Sequence, residues 1–227
     1  MELLIDTSTR YASVGLSVDG VTFAENTWRS NRNHSVELVP YIQTLLDTVG
    51  VALDELKAIF IAKGPGAFSA LRVGISTAKT LAYSLKIPIV SINTLDIESN
   101  PYLNLGYKVN AIIKAGRNQV YIGRFGIPHS EQNPQYESIS REQLSYEAGS
   151  ALYCGEAIAE LSDFLKQIHG QEVMIPCIVP PTRNIGMLAH LAYRKLQVGI
   201  SDDPLILEPL YLHSSQITVA KSNLSKK

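Results

Sequence analysis

An acid followed by three hydroxyl side chains, Asp6-Thr7-Ser8-Thr9, stands directly after the apolar run Leu3-Leu4-Ile5. After a strand in a nucleotide-binding fold, such a turn faces phosphates or their metal. Standing alone, it equally forms an Asx or ST turn, in which the side chains bond nearby backbone groups. The second candidate is Gly64-Pro65-Gly66, between the strand-like run Ala58 to Ala62 and a helix rich in small residues. A glycine turn opening a helix can present backbone amides to an anion. Yet no Gly-Lys-Ser/Thr follows to complete a phosphate loop, and Ser69 stands where the dinucleotide fingerprint needs its third glycine.

Metal and nucleophile chemistry find less support. His34 opens a helix, where a metal pair needs a second ligand one turn later, and position 38 is Leu38. His129, His169, His190 and His213 are scattered without ligand spacing. Cys154 and Cys177 stand apart in apolar surroundings and are expected to be small buried hydrophobes. No Gly-x-Ser-x-Gly elbow is present.

The elements that must position these residues follow from periodicity. Strands are expected at 2–5, 12–18 and 21–26, the last two joined by the hairpin signal Asp19-Gly20. A helix capped by Asn33 or Ser35 runs to Gly50, with Pro40 bending or delaying its first turn. A strand at 59–62, the glycine loop, a helix over 69–85 closed by Pro88, and a strand at 89–92 complete the first half. A weaker version of the same order restarts near Val109: strands at 111–114, 119–125 and 136–139, a short helix at 141–146, a strand at 151–154 and a helix over 156–169. A last amphipathic helix covers 183–198. The turn-rich segment Asn100 to Gly106 divides two units, 1–100 and 101–218, and the polar residues 219–227 read as a tail.

If the halves are duplicates, Lys114 stands where the partner of Asp6 would lie, so one of two carboxylates is replaced by a cation. That argues against complete metal-assisted phosphoryl transfer, while a lysine can still pair with phosphate. With 227 residues, 45% of them hydrophobic, the chain can bury a large core. Lys and Arg total 20 against 21 for Asp and Glu, so no global basic field gathers nucleic acid, and a role with RNA is expected to need a partner. The start Met1-Glu2-Leu3-Leu4 lacks the basic, apolar pattern of a signal peptide, and no apolar run has transmembrane length, so the expectation is a cytoplasmic protein.

Ile5-Asp6-Thr7-Ser8, His34-Ser35-x-x-Leu38-x-Pro40, Gly64-Pro65-Gly66-x-Phe68-Ser69-x-Leu71-Arg72-Val73-Gly74 and Pro209-x-Tyr211-Leu212 occur in the order seen in the TsaB (YeaZ) family, which the chain resembles best over residues 1–125. The resemblance implies an α/β, actin-like/Hsp70-like ATPase (ribonuclease H-like) fold: two subdomains of mixed sheet flanked by helices. It implies a non-catalytic subunit of the complex that adds threonylcarbamoyl to the adenosine beside the tRNA anticodon. That subunit acts by dimerising with the catalytic paralogue TsaD. The resemblance further implies that a TsaE-like ATPase joins the complex, that the chain alone forms a homodimer, that tRNA is met only through the complex, and that no membrane is involved.

Family members pair through their first two helices, which assigns the interface to Val36, Val39, Ile42, Leu45, Leu46, Leu71, Gly74, Ile75, Ala78 and Ala82. The small residues among them permit close helix packing. Asp6, Thr7, Ser8, Gly64 and Gly66 would form a vestigial nucleotide site, with weak ATP or ADP binding, no required cofactor, no metal and no catalytic residue. Two departures from the family pattern are Ala70 in place of glycine and Lys114 in place of an acid. The competing readings are an independent ATPase or small-molecule kinase, and a zinc peptidase, after the older glycoprotease label of relatives.

Overall fold

The computed structural model describes residues 1–127, 133–147 and 150–212. The expected tail at 219–227, like His129 and His213, lies outside them. β1 (Glu2–Asp6), β2 (Tyr11–Val18) and β3 (Val21–Arg29) form an antiparallel meander. The hairpin of β2 and β3 turns through Asp19 and Gly20 with φ of 52° and 74°, the left-handed pair a two-residue hairpin loop demands. α1 (His34–Val49) begins well before Pro40, so the proline does not delay it. The helix ends at Gly50, whose left-handed backbone places its N–H on the Leu46 carbonyl at 2.8 Å. β4 (Ala58–Ala62), α2 (Phe68–Leu85) and β5 (Ile89–Ile92) follow, and β1, β4 and β5 pair in parallel.

α3 (Thr94–Ser99), which apolar periodicity did not reveal, links to the second unit. That unit comprises β6 (Lys108–Lys114), β7 (Gln119–Phe125), β8 (Gln135–Ser140), a 3-10 turn at Glu142–Tyr146, β9 (Ala151–Cys154), α4 (Ile158–His169) and the two-residue β10 (Val173–Met174). The sheets run β3-β2-β1-β4-β5 and β8-β7-β6-β9-β10. In each, two antiparallel pairings are followed by two parallel ones, so the duplication expected from element order is present in the topology. This is the actin-like, ribonuclease H-like fold.

Every residue of β1 is buried because both faces of its sheet are covered. Leu3 and Ile5 point with Val14 and Leu16 into α1 and α2, meeting Leu38, Ile42, Leu46, Ile75 and Ala78. Leu4, one residue out of phase, joins Phe60, Val90 and Ile92 on the opposite face. That face is closed by α5 (Ile185–Gln197) through Ile185, Leu188, Ala189 and Ala192. The division at residue 100 therefore holds only for the outgoing chain. Residues 183–198 belong to the first sheet, and the segment beyond follows them, with Leu210 N–H on the Lys63 carbonyl at 2.8 Å. The physical reason is that a two-faced sheet needs two helical layers, and 1–100 covers one face. Among the described residues no helix is long and apolar enough to cross a membrane.

Candidate functional site

The turn after β1 and the loop after β4 meet at the head of the first sheet, as the family resemblance implied. Their polar groups are turned on each other. The Gly66 position leaves no space for a side chain, since a Cβ there would lie 2.1 Å from the Ser8 carbonyl oxygen, and Ala67 N–H donates to that same oxygen at 2.7 Å. Gly64, at φ 105°, passes under the Leu210 backbone, and its carbonyl accepts from Thr94 N–H at 2.8 Å. Thr7 donates its hydroxyl to the Ala70 carbonyl at 2.8 Å. The five expected nucleotide-site positions are thus brought together as a packed junction rather than an open cradle.

Asp6 is the deciding group. One carboxylate oxygen accepts from the Ser8 backbone N–H at 2.8 Å and from the Ser8 hydroxyl. The other accepts from Arg183 Nε at 2.7 Å. Arg183 lies just ahead of α5, its side chain 4% exposed, and it spends every N–H donor internally. Nη1 reaches Glu98 Oε1 at 3.1 Å and Glu156 Oε2 at 3.2 Å, while Nη2 reaches Thr9 Oγ1 at 2.7 Å and the Tyr11 carbonyl at 3.3 Å. Thr182 donates to both oxygens of Glu98, at 2.8 and 2.9 Å. One guanidinium therefore ties together the first strand turn, the linking helix α3, the loop before α4 and the return to α5.

The electrostatics follow from that geometry. Burial works against the charge of Arg183, but Asp6, Glu98 and Glu156 outweigh it and raise its pKa further above the ordinary arginine range. Burial raises Glu98 above the usual carboxylate range despite Arg183 and Thr182 pulling the other way. Cys154, under α3, is buried, and burial first and Glu98 second raise its pKa well above the ordinary thiol value, which disfavours the thiolate. Cys177 departs from expectation, since it is exposed. It lies among the irregular residues after β10 that no sheet covers.

His34 is buried, Nε2 at 3.1 Å from the Thr9 carbonyl and Nδ1 at 3.4 Å from the Ser30 hydroxyl, so it fastens α1 to the strand turn. Leu38, where a second ligand would stand, is fully buried in the core. Lys114 ends β6, as the repeat predicted, and its Nζ lies 2.8 Å from Glu160 Oε2.

The expected partner surface needs the largest correction. Val36 and Val39 are exposed, at 68% and 58%. Ile42, Leu45, Leu46, Leu71, Gly74, Ile75, Ala78 and Ala82 are buried inside this chain, because the same apolar stripe that marks each helix is the one that covers β1 and β4. Gly74 packs on Thr7, whose hydroxyl would be 2.2 Å from an added Cβ, so a large residue there would disrupt the fold itself. The outward faces are instead Val36, Val39 and Gln43 of α1, with Val73, Ser76, Thr77 and Thr80 of α2 exposed or partly so.

The fourth motif, Pro209-x-Tyr211-Leu212, joins the third. Tyr211 stacks on Phe68 at 5.1 Å between ring centroids and accepts from Arg72 Nε at 3.1 Å, while Arg72 lies 4.0 Å over the Phe68 ring.

The family model described as TsaD, tRNA N6-adenosine threonylcarbamoyltransferase, matches residues 27–172. A Haemophilus influenzae protein named tRNA threonylcarbamoyladenosine biosynthesis protein TsaB is 31% identical over 227 residues, 93% of each chain. The chain belongs to the TsaB family. The Bacillus subtilis TsaB is 35% identical over 123 residues, and the chain spans about half of that relative, 54% of its length. YeaZ from Pseudomonas aeruginosa superposes on 93% of this TsaB-family chain and 99% of its own, with a TM-score of 0.73 and 26% identity. Arg183, Glu98, Glu156 and Thr182 escaped sequence reasoning. Each sits alone in a loop or short helix, and nothing local announces that they converge.

Proposed function

We propose that this chain is a non-catalytic, activating subunit in tRNA threonylcarbamoyladenosine biosynthesis, in the cytoplasm, and that it dimerises with a TsaD-like transferase. The observation that carries the reading is the engagement of Asp6. The acid that would serve a metal or phosphate has both oxygens occupied within the chain, one of them by a buried arginine. The names borne by relatives supply the pathway, and a transferase family model covering most of the chain supports descent from a common nucleotide-binding ancestor.

The contact is assigned to the outward faces of α1 and α2, where valine, serine and threonine side chains give the low relief that lets another helix pair approach. The same face serves a homodimer when the partner is absent, and a TsaE-like ATPase binds the assembled pair. Gel filtration and calorimetry of purified chain with the transferase test this. A 1:1 complex is expected, and binding no tighter than to an unrelated protein would refute it. ATP turnover by the isolated chain that disappears in Asp6→Ala would instead favour an independent ATPase.

A further inference from the structure

Between the two units lies a cleft of about 770 Å³ whose walls carry Arg10, Arg29, Arg32, Lys114 and Arg117 against two carboxylates, Glu156 and Glu160. The local excess is three positive charges in a chain whose net charge is −1. Lys114 pairs with Glu160, and Arg10 lies 3.8 and 3.9 Å from Glu156 and Glu160. Among the described residues Arg29, Arg32 and Arg117 make no ion pair, and all three are exposed. They come from separate places: the end of β3, the loop before α1, where Arg32 is held at φ 66°, and the β6–β7 turn. Two sides of an open groove thus present cations toward the same space.

We propose that this cleft binds the phosphodiester backbone of a structured RNA, so that the subunit touches the tRNA directly. The inference rests on the tRNA reading above and sharpens it. A single nucleotide fits less well. Among the described residues no aromatic side chain lines the cleft to stack a base. The glycine-loop and strand-turn groups that would cradle a polyphosphate are spent on Ser8, Arg183 and Ala70. Spaced, exposed cations around a wide opening instead suit successive phosphates, which are bound largely by charge and without base reading.

The test is fluorescence anisotropy with a labelled tRNA transcript, using the full chain alone and with the transferase, over a salt series. The triple variant Arg29→Glu, Arg32→Glu, Arg117→Glu alters exposed residues only, and its melting temperature reports its fold. It is expected to bind tRNA at least about tenfold more weakly, with a log K against log salt slope shallower by about two to three, and to bind the transferase unchanged. Glu160→Gln, which frees Lys114, is expected to tighten tRNA binding a few-fold. Wild-type chain that binds no tRNA in either form, or a triple variant with unchanged affinity and slope, would overturn the proposal. So would a triple variant that loses ATP binding while keeping tRNA. Failure of wild type to bind the transferase would instead count against the subunit reading, leaving the tRNA measurement on the chain alone intact.

Discussion

Replacing Arg183 by methionine would leave Asp6, Glu98 and Glu156 gathered in a buried site without their cation. Breaking a buried ion network by removing one partner costs about 3–5 kcal/mol, so Arg183→Met should lower stability by that order in urea unfolding. Glu98 gives a sign that can be read by pH. Its folded pKa is raised above the ordinary 4.5 by burial, so the folded chain holds this proton more tightly than the unfolded chain does. Its contribution to stability is therefore fully present below the unfolded value and is lost as pH rises through the raised one. Unfolding free energy measured from acid toward neutral pH should fall less steeply in Glu98→Gln than in wild type. At Gly74 the constraint is steric. Gly74→Ala should cost about 1–3 kcal/mol through its clash with the Thr7 hydroxyl, and Thr7→Ala should recover part of that in a double-mutant cycle.

At the scale of elements, α1 and α2 each serve two masters. Their apolar stripes were legible from spacing alone, yet the stripe lies against β1 and β4, leaving a plainer, smaller-residue face exposed, the face proposed above for the transferase. Val36→Glu with Val39→Glu should leave the melting temperature within a degree or two, since surface changes stay within about 0.5 kcal/mol, and should weaken transferase binding at least about tenfold by calorimetry. Loss of stability with binding intact would place the contact elsewhere. The glycine loop shows the same reversal. Glycine between strand and helix signalled close backbone approach, and the approaching group is Ser8 of the neighbouring turn rather than a phosphate.

Across the whole molecule, the chain leaves the first sheet at α3, builds a second sheet and returns with α5. Leu188→Ala, deep under β1 and β4, should cost about 2–5 kcal/mol although it lies in the half of the sequence assigned to the second unit. A fragment ending at residue 100 should fail to give a cooperative melt, because Leu4, Phe60, Val90 and Ile92 would face water.

Periodicity, hairpin chemistry and the repeated order of elements were set by the sequence, since each depends on neighbours a few residues apart. The doubled sheet, the hairpin at Asp19-Gly20 and the end of α1 at Gly50 are of that kind. What only the tertiary structure decided was which groups face one another. Asp6 and Arg183 are drawn together from opposite ends of the chain, Arg29 and Arg117 reach the cationic cleft from the strands and turns of different sheets, and a near-neutral composition conceals a local positive field. Burial and charge clustering are properties of long-range packing, and no local pattern of residue types encodes them.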